Sequence, residues 1–253
     1  MASSAISDFE NQVLPPEFPT LGSVAIAPRA RSRRQERARA IAVKIFRALV
    51  IVLLVRTFIG EASVVPTGSM ENTILIGDHL FWDKALYGPE IPFTHWRLPA
   101  LRHAHRGDLI AFRFPLDPQQ IFLKRVVATG GDVVALRDGV LLVNGSQVPE
   151  SYAVHQGPYD RDARFEQMPP RSVPKGELFV LGDNRENSSD SRDWGFVPEH
   201  NVIGEPVMVV WSYNASSAQW LDEREPQQMK FFGSILVHFL TRTRWSRIGM
   251  VPN

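Results

Sequence analysis

The most apolar stretch of the chain, residues 41–61 (IAVKIFRALVIVLLVRTFIGE), limits the folds open to it more than any other feature. Its uninterrupted centre, 48–55, is short for a membrane span, which needs about 20 mostly apolar residues. Arg47 and Arg56 flank this centre, and nine helical residues separate them by roughly 13 Å. Because arginine side chains can extend outward to the lipid surface, the segment can still cross most of the hydrocarbon layer. The sequence therefore predicts one transmembrane anchor at 41–61.

Two other interpretations of this stretch stay open. A buried helix of a soluble domain is one, and the two interrupting arginines count against it. A cleaved signal peptide is the other, but residues 1–40 are far too long to be the basic region of such a peptide.

Basic residues cluster immediately before the apolar stretch. The charged residues there, over 29–39, are Arg29, Arg31, Arg33, Arg34, Glu36, Arg37 and Arg39. Lysine and arginine next to a span stay on the cytoplasmic side. We therefore expect 1–40 to be a cytoplasmic basic tail and the rest to lie across the cytoplasmic (inner) membrane, as in a single-pass protein. A plain solvated tail is the alternative.

Composition excludes several classes of site. The 253 residues are 44% hydrophobic, enough for a packed core, and the formal net charge is +1. This near-neutral charge argues against a nucleic-acid surface, so no nucleic-acid partner is expected. The sequence has no cysteine, which removes disulfides, thiol nucleophiles and cysteine-bound metals. No motif implies any other metal or a cofactor, and we expect none.

Short β-like runs separated by turn residues extend from 62 to about 219. The runs are 109–114, 120–128, 133–136, 140–143, 177–181 and 207–211. Asp138-Gly139 and Asn144-Gly145 flank the VLLV run and are hairpin signals. No long amphipathic helix separates these runs, so the sequence predicts a mainly β extracytoplasmic region over 62–228.

The last segment, 229–253, returns to a helical pattern. Its apolar residues share one helix face: Phe231, Phe232, Ile235, Leu236, Phe239 and Leu240. Basic and aromatic residues follow them. The pattern fits a docked terminal helix and, equally well, a basic amphipathic tail lying on lipid.

Lys124 is unusual in the β-like run FLKRVV. Side chains alternate along a strand, so Lys124 would share its face with Phe122 and Val126. An apolar setting disfavours the ammonium form and lowers the pKa of a lysine. Lowering it from ~10.4 to ~8 would cost about 3 kcal/mol of folding free energy near neutral pH. Such a lysine is better explained as a general base than by packing, although an exposed edge-strand lysine is the ordinary alternative.

Two further segments accompany this lysine. Ser69 follows Gly68 soon after the apolar stretch, and taken alone it fits any surface serine. Residues 182–195 are dense in polar and charged side chains and directly follow the apolar run ELFVL. A solvated loop is the plain interpretation of that segment by itself.

Together, these segments resemble the ordered sequence boxes of bacterial type I signal peptidases. The boxes are PTGSM, then RGD with FLKRV and GGD, then GDNR-x-NS-x-DSR-x-WG. The resemblance extends over about 56–204 and follows an N-terminal anchor, as in that family.

The resemblance implies a role for each matching residue. Ser69 matches the nucleophile and Lys124 its general base. Thr67 matches the hydroxyl that joins the Ser69 N–H in the oxyanion hole, and Ser188 the serine that orients the lysine.

Five supporting residues follow from the same match. Arg125 and Asp183 match one ion pair, Asp190 and Arg192 match a second, and Met70 matches a residue lining the site.

At two positions the chain departs from the family pattern. The family usually has proline where Asn72 stands and aspartate where Glu186 stands. Neither position transfers a proton, and we expect Asn72 to affect the turn after the serine.

The resemblance also implies a fold and a substrate. The expected fold is an all-β catalytic core with a second β region inserted at about 132–175. Substrates would be signal-peptide-bearing preproteins delivered by the export machinery, with small residues at −1 and −3 from the cut. The peptide would bind as an added strand with two shallow pockets. Membrane lipid would be the other partner.

Rival interpretations have weaker support. A membrane-tethered Ser–Lys self-cleaving regulator should have a DNA-binding motif before the catalytic part, where this sequence has a tail and an anchor. An inactive binding module should have lost one of the matching residues. A second S-x-x-K pattern at 172–175 lies among prolines and predicts a loop.

One bond of the chain itself looks like a substrate. Gly60 and Ala62 are small residues at −3 and −1 from the bond after Ala62. We expect this bond to be protected, because the following residues lead straight into the Ser69 segment.

Overall fold

The computed structural model describes residues 33–91, 94, 96–155 and 167–253. The chain divides into two compact units, 1–46 and 47–253. Most of the predicted basic tail, 1–40, lies outside the described residues.

Helix α1, Arg33–Leu54, continues into a π-helical turn at Val55–Ile59. In the described ranges, no helix combines the length and the apolar character needed to cross a membrane. Lys44 and Arg47 interrupt the apolar run of α1. Helical structure ends at Ile59, two residues before the predicted end of the anchor, because a strand begins at Gly60.

Seven antiparallel strands form the larger sheet. They are β1 (Gly60–Val64), β2 (Asp78–Asp83), β3 (Leu109–Phe114), β4 (Asp117–Thr129), β9 (Glu177–Leu181), β10 (Val197–Pro198) and β11 (Val202–Ser212). Their order is β1-β2-β11-β3-β4-β9-β10. The first strand therefore lies at one edge, where it pairs with β2 alone among the described strands.

A smaller sheet is inserted in the sequence between β4 and β9. Its strands are β5 (Val133–Arg137), β6 (Val140–Val143), β7 (Ser146–Gln147) and β8 (Met168–Ser172), in the order β7-β6-β5-β8. All four fall within the range predicted for an inserted β region, 132–175, of which 156–166 lie outside the described residues.

The predicted turns around β6 are present. Asp138 and Asn144 both have positive φ, 51° and 53°, and a glycine with positive φ follows each. Two successive residues with positive φ make the hairpin turn whose twist matches antiparallel strands.

Each of the six predicted β runs lies in a strand, and the mainly β fold is confirmed. The sequence patterns missed five strands: β1, β2, β8 and the two-residue strands β7 and β10. In β8, Pro169 and Pro170 argue against a strand, but β8 is at the sheet edge and its register with β5 shifts at these two residues, so the irregular ladder accommodates them.

A short helix, α2 (Ser191–Trp194), precedes β10, and the C-terminal part contains three more helices, α3 (Ser217–Trp220), α4 (Glu225–Val237) and α5 (Phe239–Arg242). The single helical run predicted there is interrupted at His238. Phe231 packs on Trp220 with ring centroids 4.8 Å apart, while Leu236 and Leu240 are exposed. One face of α4 is thus docked and another is open.

Candidate active site

Ser69 lies in the loop between β1 and β2, the Ser69 loop (65–77). The loop is closed at its base, where the Val65 N–H donates to the Asp78 carbonyl and the Gly77 N–H donates to the Val65 carbonyl, both at 2.8 Å. Met70 and Ile74 are buried in one of three hydrophobic clusters. Apolar anchors on both sides of the turn therefore hold the serine in a defined place.

Asn72 occupies the turn after the serine with φ of 85°. Asparagine tolerates this left-handed conformation, whereas proline is fixed near −65° and cannot adopt it. The turn therefore differs from one that a proline at this position would form.

Lys124 reaches the serine from β4. The strand pairs with β3 in a register that sets Lys124 opposite Ile110. The Lys124 Nζ lies 2.7 Å from the Ser69 Oγ, within hydrogen-bond distance. The two residues are 55 positions apart in sequence.

Burial controls the charge of this lysine. Lys124 is 4% exposed, and burial lowers its pKa to about 8, outweighing the opposing effect of the Asp190 carboxylate. The Arg192 guanidinium acts on the pKa in the same direction as burial. A neutral amine is therefore far more accessible here than in a lysine at the surface.

A buried ion pair lies beside the lysine. Arg125 donates to both carboxylate oxygens of Asp183 at 2.8 Å and lies over the Tyr152 ring at 3.9 Å. Asp183 also accepts a hydrogen bond from the Thr73 hydroxyl at 2.6 Å. This network connects β4 and the 182–195 segment to the Ser69 loop.

Asp190 organises the 182–195 segment. It caps the short helix α2 (Ser191–Trp194), accepts from the Gly182 N–H at 3.1 Å and pairs with Arg192 at 2.7 Å. Both side chains are buried. The predicted pairs Arg125–Asp183 and Asp190–Arg192 are thus both formed.

Ser188 lies in the same 182–195 segment, but it does not form the predicted hydrogen bond with Lys124. Its Oγ is buried and has no partner among the described residues. A Cβ on Gly182 would collide with the Ser188 hydroxyl and lie 2.6 Å from the Ser69 carbonyl oxygen. Ser188 therefore packs closely beside the serine segment, next to a glycine that leaves it room.

A cleft of about 600 Å³ opens over these groups, and its lining is largely apolar. Thr67, Ser69, Met70 and Lys124 all line it, together with edge strand β1. Thr67 is exposed, and the Ser69 N–H donates to no carbonyl of the described backbone. Both groups are therefore free to bind a ligand.

The family model described as "Signal peptidase, peptidase S26" matches residues 38–211, more than half of the chain. The chain belongs to this family. Relatives named signal peptidase I agree with the match. The one from Pseudomonas fluorescens is 34% identical over 198 residues, covering 66% of this chain and 69% of the relative. The one from Leptolyngbya laminosa is 34% identical over 207 residues, covering 79% and 90%.

A solved structure of signal peptidase I from Enterococcus faecalis V583 is 32% identical, with a TM-score of 0.35. The comparison covers 41% of this chain and 97% of that one. Membership in the signal peptidase family makes the chain a hydrolase that acts on signal peptides.

The signal peptidase site includes residues that sequence inspection assigned no role. Asn184 donates from its backbone N–H to the Ser69 carbonyl at 3.1 Å and from its amide to the Gly68 carbonyl at 3.2 Å. It stands inside the quoted GDNR motif, so that motif was the available signal.

Arg185 and Glu150 form a second missed contact. Buried Arg185 donates to both Glu150 oxygens, one at 2.7 Å. This pair ties the inserted region to the 182–195 segment of the signal peptidase. No local pattern marks Glu150, because its partner lies 35 residues away.

Proposed function

We propose that this chain is a membrane-bound serine endopeptidase that removes N-terminal signal peptides, using Ser69 as nucleophile and Lys124 as general base. The observation that supports it best is the 2.7 Å contact between the Lys124 Nζ and the Ser69 Oγ. A buried lysine whose pKa is lowered to about 8 has the property that a general base needs.

The reaction begins with the neutral amine of Lys124. It accepts the hydroxyl proton while the Ser69 Oγ attacks the scissile carbonyl carbon. The carbonyl oxygen gains a negative charge, which the Thr67 hydroxyl and the Ser69 N–H stabilise by donating hydrogen bonds. Removing one such donor typically costs about 3 kcal/mol of transition-state stabilisation.

The intermediate then collapses. The carbon–nitrogen bond breaks, and the Lys124 ammonium gives its proton to the leaving amine, which is the new N-terminus of the mature protein. An acyl ester on Ser69 remains. Lys124, neutral again, takes a proton from a water molecule whose oxygen attacks the ester carbon. The bond from that carbon to the Ser69 Oγ then breaks, the Lys124 ammonium returns the proton to Oγ, and the signal peptide leaves with a new C-terminal carboxyl group.

Ser188 and the two ion pairs position the catalytic groups and do not react themselves. Ser188 orients the lysine once the amine turns toward its buried, unpartnered hydroxyl. Arg125 with Asp183 and Asp190 with Arg192 fix the strands and loops that meet at the site. Met70 forms part of the apolar wall.

The substrate binds as an added strand in the cleft beside edge strand β1. Support comes from the edge position of that strand and from the largely apolar lining. In this largely apolar cleft we expect small side chains at −1 and −3. The substrates are signal-peptide-bearing preproteins presented by the export machinery.

Membrane attachment completes the proposal. We assign 1–40 to the cytoplasm, the apolar residues of 41–61 to the cytoplasmic membrane, and 62–228 and 229–253 to the far side. The arginine cluster before the apolar run supports this orientation.

The test is cleavage of a purified preprotein, followed by sequencing of the new N-terminus. We expect Ser69→Ala and Lys124→Ala to abolish cleavage while each variant stays folded. Ser172→Ala and Lys175→Ala, in the exposed second S-x-x-K pattern, are matched controls and should cleave normally. Turnover by a folded Ser69→Ala variant would refute the assignment, and cleavage of the chain alone would favour a self-cleaving regulator.

A further inference from the structure

The C-terminal segment, 244–250, lies against the site. The Arg244 N–H donates to the Ser212 carbonyl, and β11 is bonded again where the Gly249 N–H donates to the Val209 carbonyl at 2.8 Å. Met250 packs against the hydrophobic cluster that contains Met70. Hydrogen bonds and apolar contacts therefore fix this segment along β11.

Arg247 extends from this segment to the end of the Ser69 loop. Its Nε and terminal nitrogen both donate to the Asp78 carboxylate, the shortest bond being 2.6 Å. The same terminal nitrogen donates to the Thr73 carbonyl at 3.1 Å. Asp78 is fully buried and Arg247 is 14% exposed in its side chain.

Both partners of Arg247 belong to the framework of the loop. The Asp78 carboxylate accepts from the Leu75 N–H at 2.9 Å, and the Thr73 hydroxyl donates to Asp183 at 2.6 Å. Thr73 is therefore held from two sides, by its carbonyl through Arg247 and by its hydroxyl through Asp183. Its N–H closes the turn on Met70, the residue directly after Ser69.

We propose that Arg247 is a positioning residue for Ser69, so that the C-terminal segment completes the active site. This inference rests on the proposed function. A planar guanidinium binds a carboxylate at two points and still has a donor for a carbonyl, which a lysine ammonium cannot reproduce in the same geometry. Arg247 touches neither the serine nor the cleft, and it acts through the loop that presents Ser69.

A second arginine supports the same segment. Arg244 donates to the Ile76 carbonyl at 2.8 Å and to Asn214 at 2.9 Å. Two arginines of the C-terminal segment thus bind carbonyls of the Ser69 loop. Arg244 lies 168 residues and Arg247 174 residues from the carbonyl that it binds.

The experiment compares full-length wild type with Arg247→Ala and Arg247→Lys, and uses Arg224→Ala as the matched control. Arg224 directly precedes helix α4 and pairs with Asp222 at the surface, where the Arg224 side chain is 73% exposed. We measure kcat and KM on a preprotein, thermal melting, and hydrogen exchange of the amides in 65–78.

For Arg247→Ala we expect kcat to fall by about tenfold to a hundredfold with KM little changed, the loss typical of a displaced catalytic group. Loop amides should exchange faster, and added guanidinium ion should restore part of kcat. Arg247→Lys should be intermediate, and Arg224→Ala should match wild type. Wild-type kcat and wild-type exchange in Arg247→Ala would overturn the proposal.

Unfolding of Arg247→Ala and a lack of cleavage by wild type are distinguishable outcomes. If Arg247→Ala melts below the assay temperature, Arg247→Lys decides, and wild-type kcat in that variant contradicts the inference. If wild type cleaves no preprotein, the proposed function fails, and hydrogen exchange still tests the positioning role. Unchanged exchange in the loop would then contradict it.

Discussion

At the scale of residues, the main feature of the site is the amine of Lys124, whose charged form is disfavoured by burial. Lys124 is 4% exposed and its pKa falls from 10.5 to about 8 because of burial. At neutral pH the folded protein therefore bears the cost of an ammonium group that the unfolded chain leaves in water. If Lys124 is the proposed general base, the burial that suits it to that role also lowers the stability of the protein.

Replacing the lysine should stabilise the protein. Between pH 8 and pH 10.5 the unfolded chain holds the proton and the folded one does not, so the full penalty applies below that range and is gone above it. It amounts to about 3 kcal/mol. Losing the contact with Ser69 offsets about 1 kcal/mol, so Lys124→Met should raise the unfolding free energy by about 2 kcal/mol at pH 7. Urea unfolding measures this.

The exposed Lys175→Met is the control and should leave stability unchanged. The advantage of Lys124→Met should also shrink as the pH approaches 10.5. A variant no more stable than wild type at pH 7 would show that the buried charge costs nothing.

Gly182 leaves room for the two serines of the site. A methyl group there would collide with the Ser188 hydroxyl and press on the Ser69 carbonyl. We expect Gly182→Ala to lower the unfolding free energy by about 1–3 kcal/mol and to reduce kcat strongly. Gly233→Ala, in helix α4 with open space around it, should leave kcat unchanged. Equal kcat in the two variants would contradict this packing.

The sequence predicted those site residues that are marked by their sequence neighbours or by a short motif. Lys124 was recognisable because its strand neighbours are apolar, and the ion pairs came with the quoted motifs. Thr73, Glu150 and Arg247 were not recognisable, because their partners lie 110, 35 and 169 residues away. The Ser188 hydrogen bond, expected from resemblance, is not formed in this structure.

At the scale of elements, the edge strand β1 serves two purposes. It leads directly into the Ser69 loop, and Glu61, Ser63 and Val64 of this strand line the cleft. Its sequence alternates weakly, which is why periodicity missed it, and pairing with β2 supplies the order that the pattern lacks. The interruption of the C-terminal helix at His238 likewise has no marker in the apolar periodicity.

Pairing of β1 with β2 should also protect the bond after Ala62 from self-cleavage. Ala62 and Ser63 lie opposite Phe81 and Leu80 in the ladder, so the bond between them cannot enter the cleft without unpairing the strand. We expect mass spectrometry of the membrane fraction to find no chain that begins at Ser63. Such a chain in wild type, and its loss in Lys124→Ala, would show self-cleavage instead.

At the scale of the whole molecule, the proposed orientation across the membrane depends on the arginine cluster before the apolar stretch. The bounds predicted for the anchor differ from those of α1 and its π-helical turn, which together end at Ile59. The arginine cluster on which the orientation is predicted falls partly outside the described residues.

Protease added to the outside of intact spheroplasts tests the orientation. We expect digestion of the region after 62 and protection of a fragment containing 1–40, because basic residues before a span are retained in the cytoplasm. Detergent should abolish that protection. Survival of the catalytic region in sealed cells would reverse the topology.

The pH dependence of kcat/KM tests the central claim, that a neutral Lys124 activates Ser69. Since burial lowers the lysine pKa to about 8, kcat/KM should rise about tenfold per pH unit below that value and then level off. A profile that stays flat from roughly pH 6 to 9, or a midpoint near the ordinary lysine value of about 10.4, would contradict the account.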